Sequence, residues 1–324
     1  MAYILLMFFV TKEHSDAFEQ VVLKDTVSNA EVVVLPACGA ILHSINIMHK
    51  GKQLNLVESY DSTDDFKANA ESKGFRNVKM APFACRIKDA HFSYNGSSYT
   101  IEKFLLNGSA IHGLVYNEPF IVANTWANAE SAGVTLYYDY KATDAGYPFR
   151  FRCEVTYQLK TGNTLLLTTK LVNNHTDVIP VQDGWHPYFT FGGSINDIQL
   201  QFHSESLVEF DDALVPTGKL MPYTAFNNFK QLEETFFDNC FTLKKDYSGP
   251  ACTLCDLDLG LQVEIWPDTS YPYLQIYTPP HRKSIAVENL SAAPDAFNNG
   301  MGVISLQPET SVQFNTVYKI SSLL

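Results

Sequence analysis

Three titratable side chains interrupt stretches of apolar strand-forming sequence. Ile111-His112-Gly113-Leu114 sets an imidazole beside a glycine that permits close backbone approach. Gly184-Trp185-His186-Pro187-Tyr188-Phe189 sets a second between a tryptophan and a proline, and Ser284-Ile-Ala-Val-Glu288 ends an apolar run on a carboxylate. A carboxylate and imidazoles are the groups that move protons near neutral pH, so together they suit general acid–base catalysis. Singly, each has a plainer alternative: a histidine held by hydrogen bonds within a strand, or a strand-end surface charge. The three lie in distant stretches, so acid–base work requires long-range strand pairing to bring them into one cavity.

Strands are what the rest of the sequence offers for that. Of 324 residues, 46% are hydrophobic and only 18% charged, enough apolar material for a large core without disulfides or metals. Aromatic residues make up 13%, including 22 Phe and 17 Tyr, side chains that fit a pleated, half-buried surface; most belong in the core. In residues 150–159, Phe151, Cys153, Val155, Tyr157 and Leu159 alternate with polar neighbours, the pattern of a half-buried antiparallel strand. Thr161-Gly-Asn163 turns this strand into another at 164–172, and Asn95-Gly96 closes a second hairpin. Further strands are expected at 31–35, 40–48, 133–140, 261–266, 273–277, 284–288 and 311–320. The stretches 60–79 and 226–237 fit either long loops or short helices. No helical-period run of twelve residues and no linker divides the chain. The expectation is all-β: one domain over 1–324, built of large, packed, twisted antiparallel sheets.

Charge and cysteines narrow the partners. Acidic residues outnumber basic ones 35 to 23, a net charge of −12, which repels nucleic acid and anionic membranes. The apolar run over residues 1–10 is too short to span a bilayer and lacks a basic leader, so it reads as part of a first strand. The six cysteines are too sparse for a disulfide framework. Cys252-Thr-Leu-Cys255 has knuckle spacing but no second ligand pair, so no metal is expected there. Sequons begin at Asn95, Asn107, Asn174 and Asn289. A reducing cytoplasm is the preferred location, with monomer and homodimer both open.

Taken together and in order, the motifs resemble the aldose 1-epimerase (galactose mutarotase) family. His112-Gly113, the Gly184–Phe189 string and Glu288 followed by Pro294-Asp295-Ala296 carry the likeness. Phe83-Ala-Cys-Arg86-Ile87, Asp144-Ala-Gly-Tyr-Pro148, Phe237-Asp238-Asn-Cys-Phe241 and Leu274-Gln-Ile-Tyr-Thr-Pro279 join them, covering roughly residues 18 to 320. The resemblance implies a galactose-mutarotase-like β-supersandwich, a concave sheet face holding a small sugar, and no metal or organic cofactor. It implies Glu288 as general base, His186 as general acid and His112 as a second imidazole at the ring oxygen. It further implies Arg86 and Asp238 as binders of sugar hydroxyls, with Gln275 and Trp266 lining the site.

Departures from the family pattern bear on the sugar. Several galactose-active members carry Asn before the matched arginine where this chain has Cys85, a string like HSYF where it has HPYF, and Gly after the Tyr-Pro pair where it has Phe149. Galactose specificity is therefore not implied. Arg76, Lys79, Arg86 and Lys88 form a local basic cluster, which reads as a solvated hairpin face or, for a hexose 6-phosphate substrate, as a phosphate site. A non-catalytic carbohydrate-binding β-sandwich, stacking Trp185, Trp266 and tyrosines on sugars, is the alternative outside catalysis. It has no use for a convergent carboxylate and two histidines.

Overall fold

The computed structural model describes residues 7–323. Nearly every element is a strand, and every pairing between the named strands is antiparallel. Phe8–His14, Glu19–Asp25, Ala30–Leu35, Ile41–His49 and Lys52–Asn55 form a five-stranded meander. Of the first strand expected over residues 1–10, residues 1–6 lie outside the described residues.

A nine-stranded sheet carries the strands with the clearest alternation. Phe151–Lys160 and Thr164–Asn173 pair over their whole length, and Ser311–Ser322 joins them on to Leu261–Pro267. Phe151, Cys153, Val155, Tyr157 and Leu159 are buried and the residues between them are not, as the alternation requires. An eight-stranded sheet runs through Ser204–Phe210, Asp238–Leu243, Tyr273–Tyr277, Ile285–Leu290, Gly184–Trp185 and Lys79–Met80. The two sheets meet through Tyr157 against Trp185 and Tyr318 against Phe189, edge to face at 5.7 and 5.2 Å between ring centroids.

The stretch 60–79 resolves into a helix, Thr63–Asn69, capped by the Ser62 hydroxyl accepting from the Asp65 amide at 3.0 Å, then turns that lead into Lys79–Met80. The stretch 226–237 is loop around the short strand Lys230–Gln231.

Ile285–Leu290 is buried along its entire length, because both faces of its sheet are covered. Asn289 points toward the nine-stranded sheet, where its Oδ1 accepts from Thr316 Oγ1 at 2.8 Å. Alternation then sends Glu288 to the opposite face, under a second and smaller apolar cluster that includes Phe66, Phe75, Met80, Cys85, Ile111 and Cys240. Asn289 is wholly buried, so its sequon is closed to glycosylation in the folded chain.

Candidate active site

Register across the eight-stranded sheet assembles the site. Cys240 lies opposite Gln275 and Gln275 opposite Glu288, while Asp238 lies opposite Tyr277 and Tyr277 opposite Ala286. Directly paired residues share a face, as do positions two apart. Asp238, Gln275, Tyr277 and Glu288 therefore stand on one side of the sheet. Tyr188 joins them, since it pairs with Ala286.

The other wall comes from two tight loops. Ile111 pairs with Arg86, and the His112 amide donates to the Cys85 carbonyl at 2.9 Å. Cys85 and His112 both hold left-handed backbone, with φ of 54° and 57°, an uncommon conformation outside glycine that the surrounding bonds must maintain. Gly113 permits the approach: its φ is 83°, and a Cβ there would lie 2.2 Å from the Ala81 carbonyl oxygen. Asp295 buttresses the Arg86 loop, its amide donating to Arg86 O and its carboxylate accepting from the Lys88 amide at 3.0 Å.

His112, His186, Glu288, Arg86 and Asp238 converge on one cavity of about 250 Å³, just below the usual ligand-pocket range of roughly 300–1,000 Å³. Three larger cavities, of about 330, 380 and 560 Å³, share no lining residue with it. Glu288 Oε1 lies 3.3 Å from His186 Nε2, with both side chains almost fully buried. The rings of His112 and His186 meet edge to face at 4.9 Å. His186 is stacked on Tyr188 at 5.1 Å and 6°, and the Tyr188 hydroxyl donates to Gly74 O at 2.7 Å. Asn77 fastens this stretch to its neighbours: its amide donates to His186 O and its Oδ1 accepts from the Tyr188 amide.

Burial dominates the electrostatics. It raises Glu288 well above the ordinary carboxylate value, and the nearby Asp238 charge adds to the rise. It lowers His186 to about 3. His112 is lowered well below its usual value by burial first and then by His186 and Arg86, so it stays neutral. Met80 Sδ lies 2.9 Å from His112 Nδ1 and has no proton to give, which puts the proton of neutral His112 on Nδ1 and leaves Nε2 an acceptor. Asp238 is raised by burial, against the pull of Arg86 and of the Gln275 amide that donates to Oδ1 at 3.0 Å. Gln275 Oε1 is buried without a partner.

Two expectations need correction. Trp266 does not line the cleft. It belongs to Leu261–Pro267 in the nine-stranded sheet, where Leu261, Val263 and Ile265 fill the core, so residue 266 alternates to the outer face and packs under Lys319 at 4.1 Å. Nor do Arg76, Lys79, Arg86 and Lys88 form one solvated face. Lys79 is fully buried between the sheets, with Nζ 2.5 Å from Asp183 Oδ1, bonded to Gly184 O and over the Trp185 ring. Arg76 pairs with Glu58 at 3.2 Å and Lys88 lies 3.6 Å from Asp211, so only Arg86 of the four lines the cleft. Cys252 and Cys255 are buried on one strand, Cys252–Asp256.

The sequence reading also left out Phe75, Glu71, Tyr188 and Tyr277, all of which line the cavity. Tyr188 and Tyr277 were within reach of period-two reasoning, two positions beyond His186 and Gln275. Phe75 and Glu71 sit in turns with no periodic signal.

Comparison with known proteins agrees with this fold. The family model described as aldose 1-epimerase matches residues 20–319. The uncharacterized protein YihR of Escherichia coli K12 is 25% identical over 235 residues, covering 70% of this chain and 73% of its own. Bifunctional protein GAL10 of Kluyveromyces lactis is 24% identical over 247 residues, 69% of this chain but 35% of that longer one. A solved galactose mutarotase-like protein from Clostridium acetobutylicum matches with a TM-score of 0.86 at 18% identity, over 98% of this chain and 99% of that one. The chain belongs to the aldose 1-epimerase family.

Proposed function

We propose that the protein interconverts the α and β anomers of a free aldohexose by proton transfer alone. The observation that carries this reading is the 3.3 Å separation of Glu288 Oε1 and His186 Nε2 inside one cleft. Opening a pyranose requires a proton taken from the C1 hydroxyl and a proton given to the ring oxygen, and both oxygens are bonded to C1. Base and acid must therefore be neighbours, as these two are.

The proton count closes. Glu288 carboxylate takes the hydroxyl proton, imidazolium of His186 protonates the ring oxygen, the C1–ring oxygen bond breaks and C1 becomes an aldehyde. The pair ends as protonated Glu288 and neutral His186, with the same number of protons it began with. Rotation about C1–C2 and reversal of both transfers close the ring as the other anomer and reset the pair. No electrons are exchanged, so the chemistry itself calls for no redox cofactor. Burial makes the carboxylate a stronger base and the imidazolium a stronger acid, the direction both transfers require. His112, whose Nε2 accepts, suits a sugar hydroxyl better than the ring oxygen. Arg86, Asp238 and Gln275 supply further hydroxyl partners.

Convergence of a carboxylate and two imidazoles favours catalysis over a sugar-binding module. Engagement of Arg76, Lys79 and Lys88 elsewhere favours an unphosphorylated sugar, because a buried phosphate dianion needs more than one cation. Polarimetry on freshly dissolved α-glucose, α-galactose and a hexose 6-phosphate tests the reading: acceleration on at least one free sugar is expected. Rates equal to buffer on every free aldose would remove it.

A further inference from the structure

Cys85 touches both halves of the catalytic cleft. Its carbonyl accepts from the His112 amide at 2.9 Å, and its thiol lies 3.9 Å from Glu288 Oε2, the oxygen that His186 does not occupy. The residue is buried, in left-handed backbone that directs the side chain and the carbonyl to these two partners. Glu288 accordingly has one partner on each oxygen: an imidazole on Oε1 and a weak thiol donor on Oε2.

We infer that Cys85 is a positioning residue for Glu288: its S–H···Oε2 hydrogen bond sets the orientation and proton affinity of the carboxylate, while its backbone holds His112. Burial keeps the thiol protonated, well above its usual range, so it remains a donor. Asp238, Cys240, Gln275 and Tyr277 share the sheet face with Glu288 across the paired strands. Tyr188 follows from the stretch beside it, and His112 and Arg86 stand behind His186 and Asp238. Asp238 raises Glu288 through its charge, and of the thiols only Cys85 contacts the carboxylate. A weak donor orients the carboxylate while leaving most of its basicity in place; a strong one would orient it and weaken it.

The role rests on the ring-opening reaction proposed above, and the test separates the two. Cys85→Ala keeps the β-carbon, so the backbone strain is unchanged and only the thiol is lost. Without the donor the bare carboxylate is less stable, so the alkaline limb of the rate profile, where the pair sheds its last proton, moves up by about half a pH unit. Loss of orientation outweighs the gain in basicity, so kcat falls about three-fold, while KM changes by less than about two-fold. An unchanged limb and unchanged kcat would overturn the inference. Infrared spectroscopy in the S–H stretching region, on unliganded protein, supplies the arm that needs neither activity nor a Cys85 variant. The wild-type minus Glu288→Gln difference spectrum should show a thiol band moving toward the free-thiol position, and no S–H difference would overturn the contact. Should the wild type prove inactive on every aldose, the reaction falls, and the infrared result alone decides whether Cys85 is coupled to Glu288.

Discussion

Glu288 and His186 lie 3.3 Å apart with both side chains almost fully buried, one from a strand buried on both faces and the other from the loop between two short strands. The pair shares one proton over a wide span of pH, because burial pushes the two groups in opposite directions.

The pH profile follows from those directions. Since His186 is lowered to about 3, the pair takes a second proton only far below the ordinary histidine range; since Glu288 is raised, it gives up its last proton well above the ordinary carboxylate value. The profile of kcat/KM should be a broad bell whose acid limb lies well below pH 6.5, measured by polarimetry with the buffer rate subtracted. An acid limb at the ordinary histidine value would contradict the assignment.

Asp238 raises Glu288 through its charge, so Asp238→Asn should move the alkaline limb to lower pH. The same substitution removes a proposed sugar contact and should raise KM. Arg86→Met should raise KM by about ten- to a hundred-fold through loss of charge-assisted hydrogen bonds, with the alkaline limb moving less than in Asp238→Asn. Equal limbs in wild type and Asp238→Asn would show that the charge does not reach Glu288.

Lys79 and Asp183 form an ion pair between the sheets, and Tyr271 donates to the second Asp183 oxygen at 2.6 Å. Removing one charge strands the other in the core. Lys79→Met should therefore lower unfolding free energy by about 3–5 kcal/mol, and Lys79→Met with Asp183→Leu should recover part of it. Denaturant melts of the three proteins measure this, and a stable single variant would refute the reading.

Trp266 packs on the outer face of the nine-stranded sheet, under Lys319. Trp266→Ala should leave kcat and KM within about two-fold of wild type. A tenfold loss would return it to the site.

The sheets were legible because alternation is a local signal. Residues 151, 153, 155, 157 and 159 announce a half-buried strand whatever they pair with, and the structure gives them that role. The identities of His112, His186, Glu288, Arg86 and Asp238 came from motif order, and their convergence depends on strand register, which links residues far apart in the chain. Gln275 is adjacent to Glu288 for the same reason. Trp266 was misplaced because a large aromatic at a strand end reads alike whether its sheet faces a sugar or solvent; the alternation of 261, 263 and 265 was the signal that could have decided it. Lys79 was misread because a lysine near other cations gives no local sign of a carboxylate 104 positions away in the same core.

The most direct test compares wild type with Glu288→Gln on the optical rotation of a fresh α-aldohexose solution. Gln fills the same space and cannot take the C1 hydroxyl proton, so loss of the base should cost about 10²–10⁴-fold in kcat while thermal stability is kept or increased. A Glu288→Gln protein that equilibrates the anomers as fast as wild type would contradict the account.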